Sequence, residues 1–105
     1  MRVVRKSKNI MAKKQLPKKF TRNETLLKAT ANKYRLAILE YLRGHEYASV
    51  GSISEHVGTS FHNTSKHLWK LEQAHIITFR EDGTYRMYHL AKNLNPIAHY
   101  IIGKL

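Results

Sequence analysis

The sequence contains no cysteine, one tryptophan, two prolines and only seven acidic residues among 105. Without cysteine the chain has no disulfide framework, no thiolate metal site and no thiol-based redox switch, which is typical of a reducing cell interior. No apolar run approaches the roughly 18 residues of a membrane span, and no signal peptide is recognisable. We therefore expect a soluble cytoplasmic protein with no membrane contact.

Motifs for catalysis are also missing. There is no glycine-rich phosphate loop and no nucleophile elbow, and the few carboxylates are scattered, so we predict that the chain is not an enzyme. Seven histidines are present, but none forms a recognisable pair at metal-ligand spacing. The sequence predicts neither a metal site nor a cofactor.

Basic residues, in contrast, are abundant and unevenly distributed. The net charge is +12, and eight Lys or Arg with no acid lie in residues 1–20, which leaves +4 for residues 21–105. Residues 1–20 lack apolar periodicity and are interrupted by Pro17, so we interpret them as a flexible basic arm. Such an arm either follows phosphates or enters a minor groove, or it is only a solubilising tail.

Helical periodicity begins near Thr21, and several helix starts carry capping residues. Ser52-Ile53-Ser54-Glu55 fits a capping box, and Asn95-Pro96 places proline at the first helical position. The predicted N-caps are Thr21 or Asn23, Asn32, Ser49 or Ser52, Ser60 and Asn95.

The pattern changes to a strand period after Ala74. Residues 76–80 and 84–90 are rich in β-branched and aromatic side chains, with Asp82-Gly83 between them, which predicts a hairpin. Arg80 and Arg86 lie near its tip. They either contact phosphates or serve as ordinary solubilising residues that blunt edge pairing.

Residues 60–71 form a helix with two different stripes. Phe61, Leu68 and Leu71 share the apolar stripe, and the opposite stripe carries His62, Asn63, Lys66 and Lys70. Most polar helix faces contact only water. This one has no acid before Glu72 in a strongly basic chain, and a phosphate backbone is the commonest partner of such a surface.

The last helix has more apolar residues than a small domain easily buries. We expect it to pack against a second copy of the chain, together with the first helix, although it could instead cross its own domain with a frayed end. The apolar residues are Leu94, Ile97, Ala98, Ile101, Ile102 and Leu105.

Three runs resemble one known family: Tyr34-Arg35-Leu36-Ala37-Ile38-Leu39, Ser65-Lys66-His67-Leu68 and Tyr85-Arg86-Met87-Tyr88-His89-Leu90. They are similar to the second helix, the recognition helix and the wing of the ArsR/SmtB-type transcriptional regulators. The resemblance implies a mainly α winged helix-turn-helix fold, with about five helices plus a two-stranded β-hairpin wing. We assign this domain to residues 21–105, with the first and last helices forming the dimer interface.

The chain also departs from that family. Ser49-Val50-Gly51 occupies the place of the family's Cys-x-Cys metal ligands. Residues 95–99, in the last helix, offer one imidazole and no carboxylate, which are too few ligands for a tetrahedral metal site. His75 takes the place of a glycine after the recognition helix. The resemblance therefore predicts a regulator without the thiolate metal-sensing site.

These observations predict a homodimeric, nucleoid-associated regulator that binds specific sequences of double-stranded DNA. The fourth helix would lie in a major groove, with His62 and Asn63 at base edges and the wing arginines on the backbone. The predicted DNA-binding residues are Ser60, Phe61, His62, Asn63, Ser65, Lys66, Lys70, Arg80 and Arg86, of which Ser60, Ser65, Lys66 and Lys70 favour phosphates.

Two alternatives remain open at this point. A sequence-tolerant chromatin-like or viral genome-associated protein would bind DNA mainly through the basic arm, with steep salt dependence. A protein-docking winged helix would instead use Phe61 and Trp69 as contact anchors.

Overall fold

The computed structural model describes residues 15–105, which form five helices and one β-hairpin. Most of the predicted basic arm, residues 1–14, lies outside the described residues. In chain order the elements are α1 (Lys18–Thr30), α2 (Lys33–Gly44), α3 (Val50–Val57), α4 (Phe61–Gln73), β1 (Ile77–Asp82), β2 (Tyr85–Leu90) and α5 (Pro96–Gly103). This is the predicted winged helix-turn-helix arrangement.

Capping side chains explain where most of the helices begin. The Asn32 side chain accepts hydrogen bonds from the backbone N–H groups of Tyr34 and Arg35, and Asn95 accepts one from Ile97. Ser60 accepts one from Asn63 in the same way. These predicted caps are confirmed, because each side chain satisfies an amide that lacks a partner within its helix.

Two predicted boundaries differ from the structure. Helix α1 begins at Lys18, directly after Pro17, so residues 18–20 are helical although we assigned them to the arm. Its first residue has no side-chain cap, which is why the search for a capping residue placed the start too late. Helix α3 is capped by Ser49, whose side chain accepts from the Ser52 N–H, so the capping box at Ser52 was wrong.

The hydrophobic core draws residues from all five helices and both strands. Two threonines are buried with it, and their hydroxyl groups are satisfied inside their own helices. Thr64 Oγ1 donates to the Ser60 carbonyl at 2.8 Å, and Thr30 Oγ1 donates to the Leu27 carbonyl at 2.9 Å. The core residues are Leu26, Ala29, Ile38, Leu39, Leu42, Ala48, Ile53, Leu68, Leu71, Ile76, Ile77, Tyr88, Ala98 and Ile102.

The hairpin closes with a two-residue loop, Gly83-Thr84, one position later than Asp82-Gly83. Asp82 is the last residue of β1 and lies opposite Tyr85 in the antiparallel register. Gly83 has φ 65°, and a positive φ at the first loop position alone is the pattern of a type II′ turn.

The loop before α3 holds the hairpin to the helices. Ala48 and Tyr88 exchange two backbone hydrogen bonds, of 3.0 Å and 2.8 Å. Both residues are buried, so this bridge anchors the middle of β2 against the core.

The chain leaves α4 through a strained position. His75 has φ 60°, and it is the one non-glycine residue with positive φ in the described part of the chain. This left-handed conformation explains why the related family carries a glycine here, since glycine adopts it without a steric penalty.

Candidate nucleic-acid interface

Helices α3 and α4 are joined by a three-residue turn. Gly58 has φ 76° and ends α3 in the left-handed conformation, and Ser60 then caps α4. Thr64, Leu68 and Leu71 bury one side of α4 against the core. The opposite side of α4 is therefore presented to solvent by a fixed helix-turn-helix.

The predicted polar stripe lies on that exposed side. His62, Asn63, Lys66 and Lys70 are all exposed, as we predicted from the helical period. Asn63 Nδ2 is 3.4 Å from Thr59 Oγ1, so its amide is held loosely against the turn. The stripe combines an amide, an imidazole and two ammonium groups, which suits it to hydrogen bonding with base edges and phosphates.

Phe61 does not belong to the apolar stripe, and this part of the prediction was wrong. Its side chain is 62% exposed, whereas Leu68 and Leu71 are fully buried. The buried stripe starts instead at Thr64, so Phe61 lies beyond its edge, on the side of α4 that faces the wing.

Arg80 and Arg86 are both exposed near the tip of the hairpin, and each guanidinium lies over an aromatic ring. Arg80 is 3.9 Å from the Tyr47 ring centroid, and Arg86 is 4.2 Å from that of Phe79. Hydrogen bonding by Tyr88 raises the pKa of Arg86. Cation–π stacking of this kind orients the guanidinium, whose five N–H groups lie at its edge and can donate to more than one partner.

The register separates these two arginines. Arg80 lies opposite Met87, and Arg86 lies opposite Glu81. Side chains that face each other across a sheet share a face, and neighbours along a strand alternate. Arg80 and Arg86 therefore occupy opposite faces of the ribbon.

A groove of about 470 Å³ separates α4 from the wing. It brings together three of the predicted residues, which are Phe61, Ser65 and Arg86. Trp69 and Tyr85 also line it, and the predicted interface omitted both. The one available signal was the four-residue spacing of Phe61, Ser65 and Trp69, which puts them on one side of a helix.

His67 lies behind the exposed stripe and connects α4 to the first two helices. Its Nδ1 is 3.1 Å from Arg35 Nη1, and Arg35 Nε donates to the Ala29 carbonyl at 2.6 Å. Burial lowers the pKa of His67, and the nearby charges of Arg35, Lys66 and Lys70 lower it further. The neutral ring is thus favoured, and His67 serves as a partly buried hydrogen-bonding residue.

Exposed apolar side chains also lie on α1 and on α5. Phe20 and Leu27 are each about half exposed and, seven residues apart, share one side of α1. Tyr100 of α5 is 66% exposed. Asn95 Nδ2 is 3.5 Å from Asn23 Oδ1, which connects the start of α5 to α1.

Within residues 15–105, no group of three or more His, Asp or Glu side chains is arranged to hold a metal ion. None of its helices combines the length and apolar character needed to cross a bilayer.

Several solved structures share this architecture. The homodimeric winged helix-turn-helix DNA-binding domain of Mb0332 from Mycobacterium bovis, a possible ArsR-family regulator, is 25% identical, with a TM-score of 0.71 over 84% of this chain and 82% of that one. NolR from Sinorhizobium fredii is 28% identical, with a TM-score of 0.70 over 88% and 91% of the two chains. The transcriptional regulator HlyU from Vibrio vulnificus is 28% identical, with a TM-score of 0.67 over 83% and 86%.

Comparison with curated protein sequences gives no match. A protein-family model named HVO_A0114 matches residues 30–92, from the end of α1 to just beyond the hairpin. This range covers more than half of the chain and contains the whole helix-turn-helix and wing. The chain therefore belongs to the HVO_A0114 family and has the winged helix-turn-helix fold of the ArsR/SmtB-type regulators.

Proposed function

We propose that this protein is a transcriptional regulator that binds specific sequences of double-stranded DNA as a homodimer. The observation that carries the proposal is the exposed stripe of α4, where an amide, an imidazole and two lysines stand on a helix whose other side is fully buried. A helix presented in this way fits the width of a major groove.

Each predicted residue has a role that follows from its chemistry. Asn63 and His62 are assigned to base edges, and Lys66 and Lys70 to phosphates, with Ser60 and Ser65 as additional phosphate donors. Phe61 lies beside them at the start of α4. Arg80 and Arg86, on opposite faces of the ribbon, would contact the backbone on the two sides of the wing.

The dimer is proposed to form through α1 and α5. Phe20, Leu27 and Tyr100 are exposed there, and a homodimer is the state named for the Mb0332 domain. Leu27→Asp should give a monomer in sedimentation measurements, because it places a charge in an apolar contact. Thr21→Asp adds the same charge to another side of α1 and should remain dimeric. A monomeric wild type would contradict this part of the proposal.

Selection from random duplex DNA tests the function directly. We expect an inverted repeat with half-sites about one helical turn, roughly 34 Å, apart. Asn63→Ala should relax the preference at one base pair per half-site, at a cost of about 1–3 kcal/mol of discrimination. Equal binding of every duplex at moderate salt would contradict the proposal and favour the sequence-tolerant alternative.

The salt dependence of the DNA affinity tests whether Lys66 and Lys70 contact phosphates. Lys66→Gln, present twice in a dimer, should reduce the slope of log K against log salt by about 1.8, since each neutralised phosphate contributes about 0.9. Lys70→Gln should do the same. Lys92→Gln removes an exposed lysine from the turn after β2 and is the matched control. Unchanged slopes for Lys66→Gln and Lys70→Gln would remove both residues from the interface.

A further inference from the structure

Three exposed aromatic rings surround the groove between α4 and the wing. Phe61, Trp69 and Tyr85 are 62%, 59% and 68% exposed, and all three line this groove. Among residues 15–105, none of these rings is paired with another ring, and none has a cation over its face. The groove therefore offers aromatic faces that the fold itself does not use.

The neighbouring aromatic residues differ from these three, because their ring faces are occupied. Tyr47 and Phe79 already carry Arg80 and Arg86 on their rings. Clustered apolar side chains that remain in water on a small domain usually mark a binding surface. The three open rings consequently require an occupant with flat, apolar faces.

The surrounding charge identifies the class of occupant. Among the described residues, the groove is lined by one cation, Arg86 of β2, and one acid, Glu72 of α4. The exposed lysines Lys66 and Lys70 lie on the adjoining side of α4. Aromatic residues and arginine are also common in protein interfaces, but the groove adjoins the basic stripe of α4 in a chain of net charge +12, and this charge favours a nucleic acid. A small molecule is usually buried over most of its surface, and rings that are more than half exposed do not enclose one.

We propose that this groove is a stacking site for unpaired bases and that the protein binds single-stranded DNA there. Proteins that bind single strands combine a cationic groove with aromatic rings on which successive bases stack. A base-paired duplex keeps its base faces covered by its own stacking, so these rings serve an opened strand. The inference goes beyond duplex recognition and does not depend on it.

The test uses the full chain and a labelled oligothymidylate of about 15 nucleotides, with a duplex of equal length measured in parallel. Trp69 is the single tryptophan of the chain, so tryptophan-selective fluorescence reports the surroundings of this one side chain, which lines this groove and also a pocket between α4 and α1. We expect saturable quenching by the single strand, with the same midpoint as binding measured by anisotropy. Binding without any change in Trp69 fluorescence would place the strand elsewhere, for example on residues 1–20, and would overturn the proposal.

Paired substitutions separate stacking from general apolar contact. Phe61→Leu and Tyr85→Leu keep apolar bulk but remove the ring, and each should weaken single-strand binding by roughly 5- to 150-fold. Phe61→Tyr and Tyr85→Phe keep the ring and should retain most of the affinity. Both positions are exposed, so all four variants should fold, which thermal unfolding verifies.

Each remaining outcome has a definite meaning. Leucine variants that bind the single strand as well as the ring-retaining variants do would overturn stacking and leave the groove to a protein partner. A wild-type chain that binds the duplex but not the single strand would overturn this inference and leave the proposed duplex function standing. A chain that binds neither nucleic acid would overturn both.

Discussion

Replacement of Arg35 by leucine tests how the helices hold α4 in place. Arg35 donates from Nε to the Ala29 carbonyl at 2.6 Å and from Nη1 to His67 Nδ1 at 3.1 Å, so one guanidinium connects α1, α2 and α4. A hydrogen bond from a charged donor contributes about 1.5–3 kcal/mol, and a neutral one about 1 kcal/mol. Leucine preserves the apolar stem and removes both bonds, together with a longer one of 3.4 Å from Nη2 to the Lys28 carbonyl.

We expect Arg35→Leu to lower the free energy of unfolding by about 2–3 kcal/mol, because the guanidinium is half-buried and the carbonyl at the end of α1 loses its donor. For a domain of this size, that corresponds to a decrease in Tm of roughly 10–20 °C. Urea denaturation followed by circular dichroism measures the change. Arg35→Lys should recover little, since an ammonium group cannot reach both acceptors in the geometry of the guanidinium fork.

Arg43 provides the matched control. It is exposed and donates a single hydrogen bond, of 2.9 Å, to the Ile102 carbonyl. Arg43→Leu should lower the free energy of unfolding by no more than about 1.5 kcal/mol, the lower end of the range for a charged donor, because it removes one bond from an exposed side chain. Equal effects at the two positions would refute the claim that the shared, partly buried guanidinium is a structural link between helices.

Three further predictions concern α4 and its ends. Burial and nearby cations hold the folded-state pKa of His67 below its ordinary 6.5, so the stability present above pH 6.5 should fall as the pH drops below it. Urea unfolding at about pH 7.5 and pH 5 should therefore show a smaller change in the free energy of unfolding for His67→Gln than for the wild type. An equal change in both proteins would contradict this. His75→Gly should raise the free energy of unfolding by up to about 1 kcal/mol, since glycine relieves the left-handed strain, and a decrease would contradict it. Ser60→Ala should lower the free energy of unfolding by about 1 kcal/mol, because α4 loses its N-cap. Ser54→Ala, in the interior of α3, should lower it by less, and equal decreases would argue against capping.

Periodicity predicted the helices well, but it placed the edge of the buried stripe of α4 wrongly. A seven-residue offset from Leu68 put Phe61 on that stripe, although the stripe in the structure begins at Thr64. Threonine reads as polar in a sequence, and its burial depends on a hydrogen bond to the Ser60 carbonyl that a pattern does not reveal. The exposure of Phe61 and Trp69 was considered only for the protein-docking alternative, and the predicted DNA-binding residues left Trp69 out.

The hairpin shows a different limit. Two strands with a glycine between them were predictable, but the turn lies at Gly83-Thr84 and not at Asp82-Gly83. A shift of one residue changes every cross-strand partner. The stacking of Arg80 on Tyr47 was also beyond prediction, because it joins the wing to a loop more than thirty residues earlier in the chain.

The pair of main-chain hydrogen bonds between Ala48 and Tyr88 ties the wing to the loop before α3. A swing of the whole hairpin would break these bonds, so the offset between the exposed side of α4 and the wing is set by the backbone. Side-chain changes leave that offset intact. Proline at position 48 would abolish one of the two bonds and loosen the wing relative to α4.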